Sequence, residues 1–286
     1  MTKKLKNTIR RIMVSVAPKF YSKYHYKRIW GFYPNLKMPK RFTEKLIWRI
    51  VYDHNPLYTQ LADKVAVRDW VSDRLGGQKP FPKCYGIYND PSEIAFDLLP
   101  DKFVLKSNHA SGHVIICNDK SKLDKQNAIE VMKKWLNTNY YYEWGEWQYK
   151  NIKPRIICEE LLEDDIVDYR FFCFDGKVAF CWVTIHDHNA YSGYCGQVYT
   201  EDWKKLDFEY GDYDTHKEFP KPENLKEMVE MASKLSVGFD YVRVDLYTVK
   251  QKTYFAEMTF TSNGGSYRIK PDEWDYKLGE MWKMDK

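Results

Sequence analysis

The sequence predicts a fold of the mixed α and β class. Segments with the periodicity of amphipathic helices alternate along the chain with short runs rich in β-branched and aromatic residues. Residues 242–260 (VRVDLYTVKQKTYFAEMTF) contain two alternating runs that flank a short polar turn, which is the pattern of a β-hairpin. With 286 residues, of which 44% are hydrophobic and 30% charged, the chain can bury a full core as one domain or two lobes.

Basic residues dominate the first part of the chain. Residues 1–43 contain twelve Lys/Arg and no acidic residue, whereas the remainder holds 45 − 12 = 33 basic and 40 acidic residues. Residues 3–16 have the pattern of an amphipathic helix that ends before Pro18. Its apolar face consists of Leu5, Ile9, Ile12, Met13 and Val16. We therefore divide the chain into a basic arm, residues 1–43, and a body, residues 44–286.

The arm points to an anionic partner. Residues 1–17 fit either an anionic membrane surface or a docking site on the body, and nucleic acid is the less favoured partner. The apolar run IMVSVA is too short for a signal peptide or a membrane span. The six cysteines form no C-x-x-C pair and most lie in apolar runs, which favours a reducing compartment. We expect a cytoplasmic protein, with the arm as a peripheral contact to the inner face of the membrane.

The body is expected to begin with helices and to continue with strands and helices in alternation. Residues 41–76 are predicted to be helical up to the glycines at 76 and 77. Further helices are expected at 91–99, 124–137 and 222–236. Strands are expected at 81–88, 102–106, 114–119, 155–162 and 168–185, followed by a polar region to about residue 220.

Two carboxylates are expected to face each other in the hairpin. A turn centred on Gln251 places Asp245 opposite Glu257, with Arg243 on the same face, and it places Phe255 on the face of Glu257. Opposed like charges destabilise a strand pair, so a cation should lie between them. Mg²⁺ prefers carboxylate oxygens and shares its coordination shell with substrate phosphates. Asp245 and Glu257 are therefore candidate Mg²⁺ ligands, and Arg243 would meet a phosphate or an oxyanion.

A lysine and a polar turn indicate a phosphate site further upstream. Lys106 ends an apolar strand, and the turn SNHASGH at residues 107–113 leads directly into the next strand. Backbone N–H groups of such a turn, with a lysine at its base, can hold a polyphosphate. The turn has a single glycine, Gly112, and fits neither the P-loop nor the G-x-G-x-x-G pattern. A simple hairpin with a surface lysine remains the alternative.

Several segments, taken in order, resemble the ATP-grasp superfamily. They are DKVAVRDWVSDRLGGQKPFPKCYGI, DKFVLKSNHASGHVII, IICEELL, DYRFF, and RVDLY followed by YFAEMTF. Over residues 38–282, the sequence is similar to that of the TupA-like (teichuronopeptide-biosynthesis) branch of bacterial surface-polysaccharide enzymes. The resemblance implies an α+β ATP-grasp fold, with mixed or antiparallel sheets in two lobes and ATP bound between them. A small inserted lobe would cover about residues 80–160.

The resemblance also implies which residues bind ATP and Mg²⁺. The basic residues that reach the ATP phosphates are Lys64, Arg68 and Lys106, the first two in a D-K-x-x-x-R motif that begins at Asp63. The loop over the phosphates includes Ser107, Ser111 and Gly112. The implied adenine contacts are Glu160 and Leu161, and the implied ribose contact is Asp168. The implied Mg²⁺ ligands are Asp245, Glu257 and Thr259.

The same resemblance assigns the catalytic and acceptor residues. Arg68, Lys106 and Arg243 are the implied catalytic residues, and Arg243 would steady the tetrahedral intermediate. The acceptor candidates follow the metal strand and are Asn263, Gly264, Gly265, Ser266 and Arg268. Two positions depart from the family pattern. Thr259 stands where the family has Asn, which leaves the number of metal ions open, and Arg68 replaces a lysine.

The implied activity is ADP-forming ligation of a carboxylate and an amine. ATP converts the carboxylate to an acyl phosphate, and an amine then displaces phosphate. The branch resemblance implies an amide on a uronic acid of a bacterial surface polysaccharide or its precursor. Trp144, Trp147 and Tyr149 are either stacking platforms for sugar rings or packed core residues.

Three other motifs allow different functions. His186 and His188 lie on one strand face and could form a Zn²⁺ pair, although no third ligand is obvious. The D-x-D within GDYDTHKE, residues 211–218, allows a glycosyltransferase that uses a nucleotide sugar. The basic arm allows a non-catalytic RNA-binding protein, whose binding would weaken with salt.

Overall fold

A computed structural model describes residues 3–162, 166–188 and 190–284. The helices are α1 Lys3–Val16, α2 Pro18–Trp30, α3 Phe42–Tyr52, α4 Pro56–Ala62, α5 Val67–Arg74, α6 Lys125–Leu136, α7 Tyr141–Trp144, α8 Leu225–Ser236 and α9 Glu273–Met281. The strands are β1 Cys84–Tyr88, β2 Phe103–Ser107, β3 Val114–Cys117, β4 Ile156–Glu160, β5 Asp168–Phe174, β6 Lys177–His186, β7 Tyr194–Tyr199, β8 Glu209–Tyr210, β9 Tyr241–Val249, β10 Lys252–Thr259 and β11 Ile269–Lys270.

The strands form two main antiparallel sheets and one short ladder. A four-stranded sheet has the order β1-β4-β2-β3, and a five-stranded sheet has the order β10-β9-β5-β6-β7. The short strands β8 and β11 pair with each other. The four-stranded sheet packs against α6 around Phe103, Met132 and Cys158, and it lies within the range assigned to the small lobe. The predicted α+β class with antiparallel sheets is confirmed.

The five-stranded sheet has an apolar core on each face. On one face, Val242, Val244 and Leu246 of β9 pack with Met228 and Leu235 of α8. On the other face, apolar residues from β5, β6, β9, α3 and α9 form a second cluster. That cluster includes Phe42, Phe172, Trp182, Tyr241 and Trp282. The alternation that buries Tyr241 in the second cluster places Arg243 and Asp245 further along this same face.

The hairpin β9–β10 contains the predicted carboxylate pair but reaches it by a different route. Lys250 and Gln251 form a tight turn with positive φ angles of 49° and 64°, so the turn is centred between them and not on Gln251. In a regular ladder Asp245 would then face Ala256. A β-bulge at Ala256 shifts the register by one residue, and Glu257 pairs with Asp245. The predicted pairing is confirmed, whereas the predicted turn centre is wrong.

The bulge also changes which side chains share a face. Phe255 pairs with Leu246 and packs in the core with it, so its predicted position on the face of Glu257 is wrong. Tyr254 instead stacks on Tyr247, with ring centroids 5.4 Å apart. A single extra residue thus reverses the alternation within one strand.

Two other elements differ from expectation. Residues 91–99 form two short 3₁₀ turns, Pro91–Glu93 and Phe96–Leu98, where a helix was expected. Both are too short to carry helical periodicity and serve to bury Ile94 and Phe96 in the small lobe. Strand β7 lies inside the region for which only a polar character was expected. Its sequence, YCGQVY, interrupts the apolar pattern with Gly and Gln, although both are buried.

The arm is packed on the body rather than detached from it. The division after residue 43 falls inside α3. Helix α1 docks through Val14, which packs with Tyr21 and Tyr141, and Arg11 pairs with Glu143 at 2.6 Å. Much of the predicted apolar face remains exposed: Leu5, Ile9, Ile12 and Val16. No helix in the described ranges is long and apolar enough to cross a membrane.

Candidate active site

A cavity of about 400 Å³ lies between the four-stranded sheet, the five-stranded sheet and α5. Many of the residues predicted from the sequence line it: Lys64, Arg68, Lys106, Ser111, Asp168, Arg243, Asp245, Glu257 and Asn263. Residues separated by nearly 200 positions therefore meet in one concave site of ligand-binding size. We call it the first cavity.

The first cavity has a carboxylate floor, and an arginine bridges its two acids. Arg243 donates from Nε and Nη2 to the two oxygens of Asp245, both at 2.6 Å, and from Nη2 to Glu257 Oε1 at 3.2 Å. The Thr259 hydroxyl donates to Glu257 Oε1 at 2.7 Å and accepts from Arg243 Nη2 at 3.1 Å. The cation that the opposed carboxylates require is thus the guanidinium of Arg243 in this structure.

The two carboxyl groups of the floor have different proton affinities. Burial raises the pKa of Asp245 to about 6, against the opposing effect of Arg243. Burial alone would also raise the pKa of Glu257, but Lys64 and Arg243 outweigh it and hold this pKa below its usual value. Lys64 Nζ lies 3.9 Å from Glu257 Oε2. The floor therefore carries at least one firm negative charge at neutral pH.

A basic wall faces this floor and is held by a carboxylate that sequence reasoning missed. Lys106 Nζ lies 2.8 Å from Glu159 Oε2, and Arg68 also pairs with Glu159. Glu159 is 4% exposed and lines the first cavity, whereas Glu160, the predicted adenine contact, is exposed and lies outside that lining. Strand β4 pairs Ile157 with Lys106, so alternation places Glu159 on the face of Lys106. That register was the signal that could have selected Glu159.

The loop between β2 and β3 is fixed at its base. Asn108, which is fully buried, donates to Asp63 Oδ1 at 2.8 Å, and Lys64 Nζ donates to the Ala110 carbonyl at 3.0 Å. The Ser107 hydroxyl lies 3.0 Å from His113 Nδ1, so its side chain is engaged within the loop. Ser111 and Gly112 remain exposed at the tip, where Gly112 has a φ of 75°. The fixed base and exposed tip suit a loop that covers a ligand.

The other predicted residues lie around the first cavity rather than in its lining. Leu161 follows the end of β4, and Thr259 lies behind Glu257. Gly265 is buried against Ile47 and the Thr43 carbonyl. Arg268 donates to the carbonyl of Ile29 at 2.8 Å, so its guanidinium is committed to α2.

The two carboxylates of the D-x-D motif also lie outside the lining of the first cavity. Asp212 pairs with Lys270, and Asp214 pairs with His216.

A second cavity of about 260 Å³ adjoins the first. The two share Asn263 and Tyr267, and the second is further lined by His25, Tyr140, Trp144, Glu146, Gly264 and Ser266. Of the predicted sugar platforms, Trp144 lines this cavity. Trp147 instead stacks on His54 at 4.9 Å, and Tyr149 packs edge-on against Tyr140. His25 comes from the arm, which sequence reasoning had separated from the site.

Glu146 is the acidic group of the second cavity. It is 7% exposed and accepts a hydrogen bond of 2.6 Å from the Thr261 hydroxyl. Gln148 donates to that same hydroxyl, also at 2.6 Å. Burial raises the pKa of Glu146 to about 7, which is the range where a carboxyl group exchanges protons at physiological pH. No sequence pattern had singled out this residue.

Comparison with known proteins gives the family. A family model for TupA-like ATP-grasp proteins matches residues 44–283. The chain belongs to the TupA-like ATP-grasp family. The predicted resemblance and the predicted ATP-grasp fold are confirmed, whereas no curated protein matches the chain.

Among solved structures, this ATP-grasp chain is similar to several ligases at low identity. D-alanine–D-alanine ligase from Bacillus anthracis is 19% identical with a TM-score of 0.41, covering 70% of this chain and 57% of that one. The ATP-grasp ligase PsnB complexed with minimal precursor is 14% identical with a TM-score of 0.42, covering 73% and 54%. N5-carboxyaminoimidazole synthetase from Staphylococcus aureus, complexed with ADP, is 11% identical with a TM-score of 0.41, covering 70% and 44%. The chain therefore spans between 44% and 57% of the length of these three proteins.

The side chains that line the first cavity fit a hard cation and a polyphosphate. Asp245 and Glu257 present carboxylate oxygens from adjacent strands, which are the ligands that Mg²⁺ prefers. Lys64, Arg68 and Lys106 supply positive charge on the facing wall, where phosphate oxygens would be neutralised. These residues are the ones that would hold Mg²⁺ and a nucleotide.

Proposed function

We propose that this chain is an ADP-forming ligase that joins a carboxylate to an amine through an acyl phosphate, with ATP and Mg²⁺ in the first cavity. The observation that carries the proposal is the meeting of Asp245 and Glu257 with Lys64, Arg68 and Lys106 around that cavity. A nucleotide triphosphate needs both kinds of group, because its phosphates must be neutralised by a metal ion and by basic side chains.

Each group has a defined task in the reaction. The substrate carboxylate attacks the terminal phosphorus of ATP, and ADP leaves with the electron pair of the broken P–O bond. Mg²⁺ at Asp245 and Glu257 would supply Lewis-acid stabilisation of the phosphate charge. Lys106 and Arg68 exchange their contacts with Glu159 for contacts with phosphate oxygens. Arg243 faces the same space and stabilises the oxyanion that forms when the amine attacks the acyl carbon. Phosphate then leaves with the electron pair of the broken C–O bond, and the nitrogen loses a proton to solvent.

The second cavity is proposed to hold the acceptor. Its connection to the first through Asn263 and Tyr267 puts an acceptor group next to the transferred phosphate. Tyr140, Trp144 and Tyr267 give it the aromatic surface on which sugar rings stack. Together with the surface-polysaccharide branch of the family, this lining supports a uronic acid of a bacterial surface glycan, or its precursor, as the substrate that receives the amide.

The arm is proposed to contact an anionic membrane. A third cavity of about 670 Å³ lies between α1 and α2 and shares His25 and Trp144 with the second. Its lining combines apolar Ile9 and Phe20 with basic Arg28. This continuity supports delivery of a lipid-linked acceptor from the membrane to the active site, and it supports a peripheral position on the inner face of the membrane.

Release of ADP tests the proposal. Purified protein is incubated with ATP, Mg²⁺, candidate uronates and candidate amines, and ADP formation should depend on both substrates. Trp144→Ala should raise the KM for the acceptor and leave the KM for ATP unchanged, because Trp144 lines only the second cavity and the third. Tyr33→Ala, at an exposed aromatic residue outside these linings, is the matched control. Transfer from a nucleotide sugar without ADP formation would instead favour a glycosyltransferase.

A further inference from the structure

A cluster of metal-ligating side chains lies at the edge of the five-stranded sheet, outside both cavities of the proposed reaction. Asp187 follows β6, Cys195 belongs to β7, and His216 follows β8. One ligand atom from each lies within 4.8 Å of the other two. Cys195 is fully buried, Asp187 is mostly buried, and His216 is half-exposed. The cluster therefore opens to solvent on one side.

The spacing of these atoms matches a tetrahedral zinc site. Cys195 Sγ lies 3.6 Å from Asp187 Oδ2 and 3.6 Å from His216 Nε2, and His216 Nε2 lies 3.8 Å from Asp187 Oδ2. Zn²⁺ bonds of about 2.3 Å to sulfur and about 2.0–2.2 Å to nitrogen or oxygen give tetrahedral edges of about 3.5 Å from sulfur and about 3.4 Å between nitrogen and oxygen. The three observed distances thus exceed the tetrahedral values by a few tenths of an ångström or less.

A second carboxylate orients the histidine. His216 Nδ1 lies 2.7 Å from Asp214 Oδ1, which leaves Nε2 as the nitrogen available to a metal. Metal-bound histidines usually donate their other N–H to such a carboxylate. Because Sγ of Cys195 is equally distant from both ring nitrogens, the ring must turn to aim Nε2 at the ion, and its half-exposed position leaves room for that turn.

The backbone places these residues together independently of any ligand. Ile185 pairs with Cys195 across β6 and β7, and Cys195 forms an isolated bridge with Asp214. Gly196 donates to the Asp214 carbonyl at 2.8 Å, which holds the His216 segment beside β7. The site is therefore supported by sheet hydrogen bonds on two sides.

We propose that Asp187, Cys195 and His216 bind one Zn²⁺ ion, with water at the fourth, open position. Binding releases the thiol proton of Cys195 to solvent. Lys217 Nζ, which lies 3.7 Å from Asp187 Oδ2 and is partly exposed, moves aside as the ion takes over its electrostatic role. The ion connects the end of β6 to the segment that carries Tyr213, a residue of the first cavity.

This site revises the zinc pair expected at His186 and His188. Their rings lie 4.5 Å apart in an edge-on contact, and within residues 3–162, 166–188 and 190–284 no further ligand joins them. The residue between them, Asp187, is the one that meets a cysteine and a histidine from other segments. A local sequence pattern does not show a cluster whose members come from the end of β6, the start of β7 and the segment after β8.

Cobalt provides a direct test, because a Co²⁺–thiolate bond gives a charge-transfer absorption that oxygen ligands do not give. Metal-free full-length protein is titrated with Co²⁺ in excess Mg²⁺, which occupies the carboxylate floor of the first cavity. We expect the band to saturate at one Co²⁺ per chain and to disappear when Zn²⁺ is added. Cys195→Ser should abolish the band. Cys84→Ser, at an exposed cysteine in β1, and His188→Ala should retain it.

Variants at Asp214 and His216 test the histidine side of the proposed zinc site. Asp214→Asn should weaken the binding of Co²⁺ about 10–100-fold, because it removes the carboxylate that orients His216. His216→Asn changes a half-exposed residue and should abolish binding with the fold intact, which decides the question even where Cys195→Ser unfolds the chain. Absence of a saturating band in the unmodified protein, or an unchanged band in His216→Asn, overturns the proposal. Neither readout requires ligase activity.

Discussion

Lys106 and Glu159 form a close ion pair in the basic wall of the first cavity, with 2.8 Å between Lys106 Nζ and Glu159 Oε2. Glu159 also pairs with Arg68, so one buried carboxylate holds two of the cations assigned to ATP phosphates. The side chains of Lys106 and Arg68 are thereby ordered before a nucleotide arrives. A ligand phosphate must compete with Glu159 for both of them.

Glu159→Gln should separate these two effects. In the absence of nucleotide, loss of the buried charge removes the anionic partner of Lys106 and Arg68 and should lower the free energy of unfolding by about 1–3 kcal/mol. ATP should then stabilise the variant more than the unmodified protein, because phosphate no longer competes with a carboxylate. Thermal unfolding with and without ATP–Mg²⁺ measures both. Glu130→Gln, an exposed position on α6, should change neither.

Glu257→Gln should abolish ligation and preserve the fold. The change keeps the shape of the side chain and removes a charge that would bind Mg²⁺, so ADP formation should fall at least about 100-fold. Stability should change by about 1 kcal/mol or less, because lost attraction to Lys64 and Arg243 offsets relief from Asp245. Glu218→Gln, at an exposed acid, is the control. Full ATP-dependent turnover by Glu257→Gln would remove this residue from the metal site.

Glu146→Gln should change how stability depends on pH. The folded-state pKa of Glu146 is about 7, against a usual value of 4.5. Between these two pH values the folded chain holds a proton on Glu146 that the unfolded chain has released. The free energy of unfolding therefore declines as the pH rises from about 4.5 to about 7, and above pH 7 the destabilisation is complete and stays constant. The variant should therefore gain about 1–3 kcal/mol over the unmodified protein at pH 8 and little at pH 4. Denaturant unfolding measures this at each pH. If the variant and the unmodified protein show the same dependence of stability on pH, the pKa of Glu146 is not raised in the folded chain.

Membrane binding should depend on the exposed part of α1. Ile12 and Val16 are 55% and 75% exposed, whereas Val14 is buried against the body. Ile12→Ser combined with Val16→Ser should therefore weaken sedimentation with anionic vesicles while leaving α1 docked. Binding should require anionic lipid and decline with salt, since each basic residue near the surface contributes about 1 kcal/mol. Val237→Ser is the control, and equal partitioning of both variants would rule out the exposed apolar face of α1 as the contact.

Local patterns in the sequence were enough to predict the residues that alternate within one element. Asp245 and Glu257 were paired correctly because two departures cancel: the turn is not centred on Gln251, and a bulge at Ala256 shifts the register by one residue. Glu159 was missed because its position beside Lys106 depends on how β4 pairs with β2, about 50 residues away. His25 and Glu146 were missed because packing between distant segments, α2 and the segment after α7, brings them to the second cavity. Long-range register, rather than propensity, set the limit of prediction.

The bulge at Ala256 determines which changes in the length of β10 preserve the carboxylate pair. Deleting Ala256 alone would leave Glu257 opposite Asp245 and Phe255 opposite Leu246, because a regular ladder from the turn at Lys250 and Gln251 already has that spacing. Inserting one residue between Ala256 and Glu257 would turn the carboxylate toward the apolar core. Homologous hairpins that are shorter by one residue here can therefore carry the same site, and alignments that count residues from the turn will misplace its second acid.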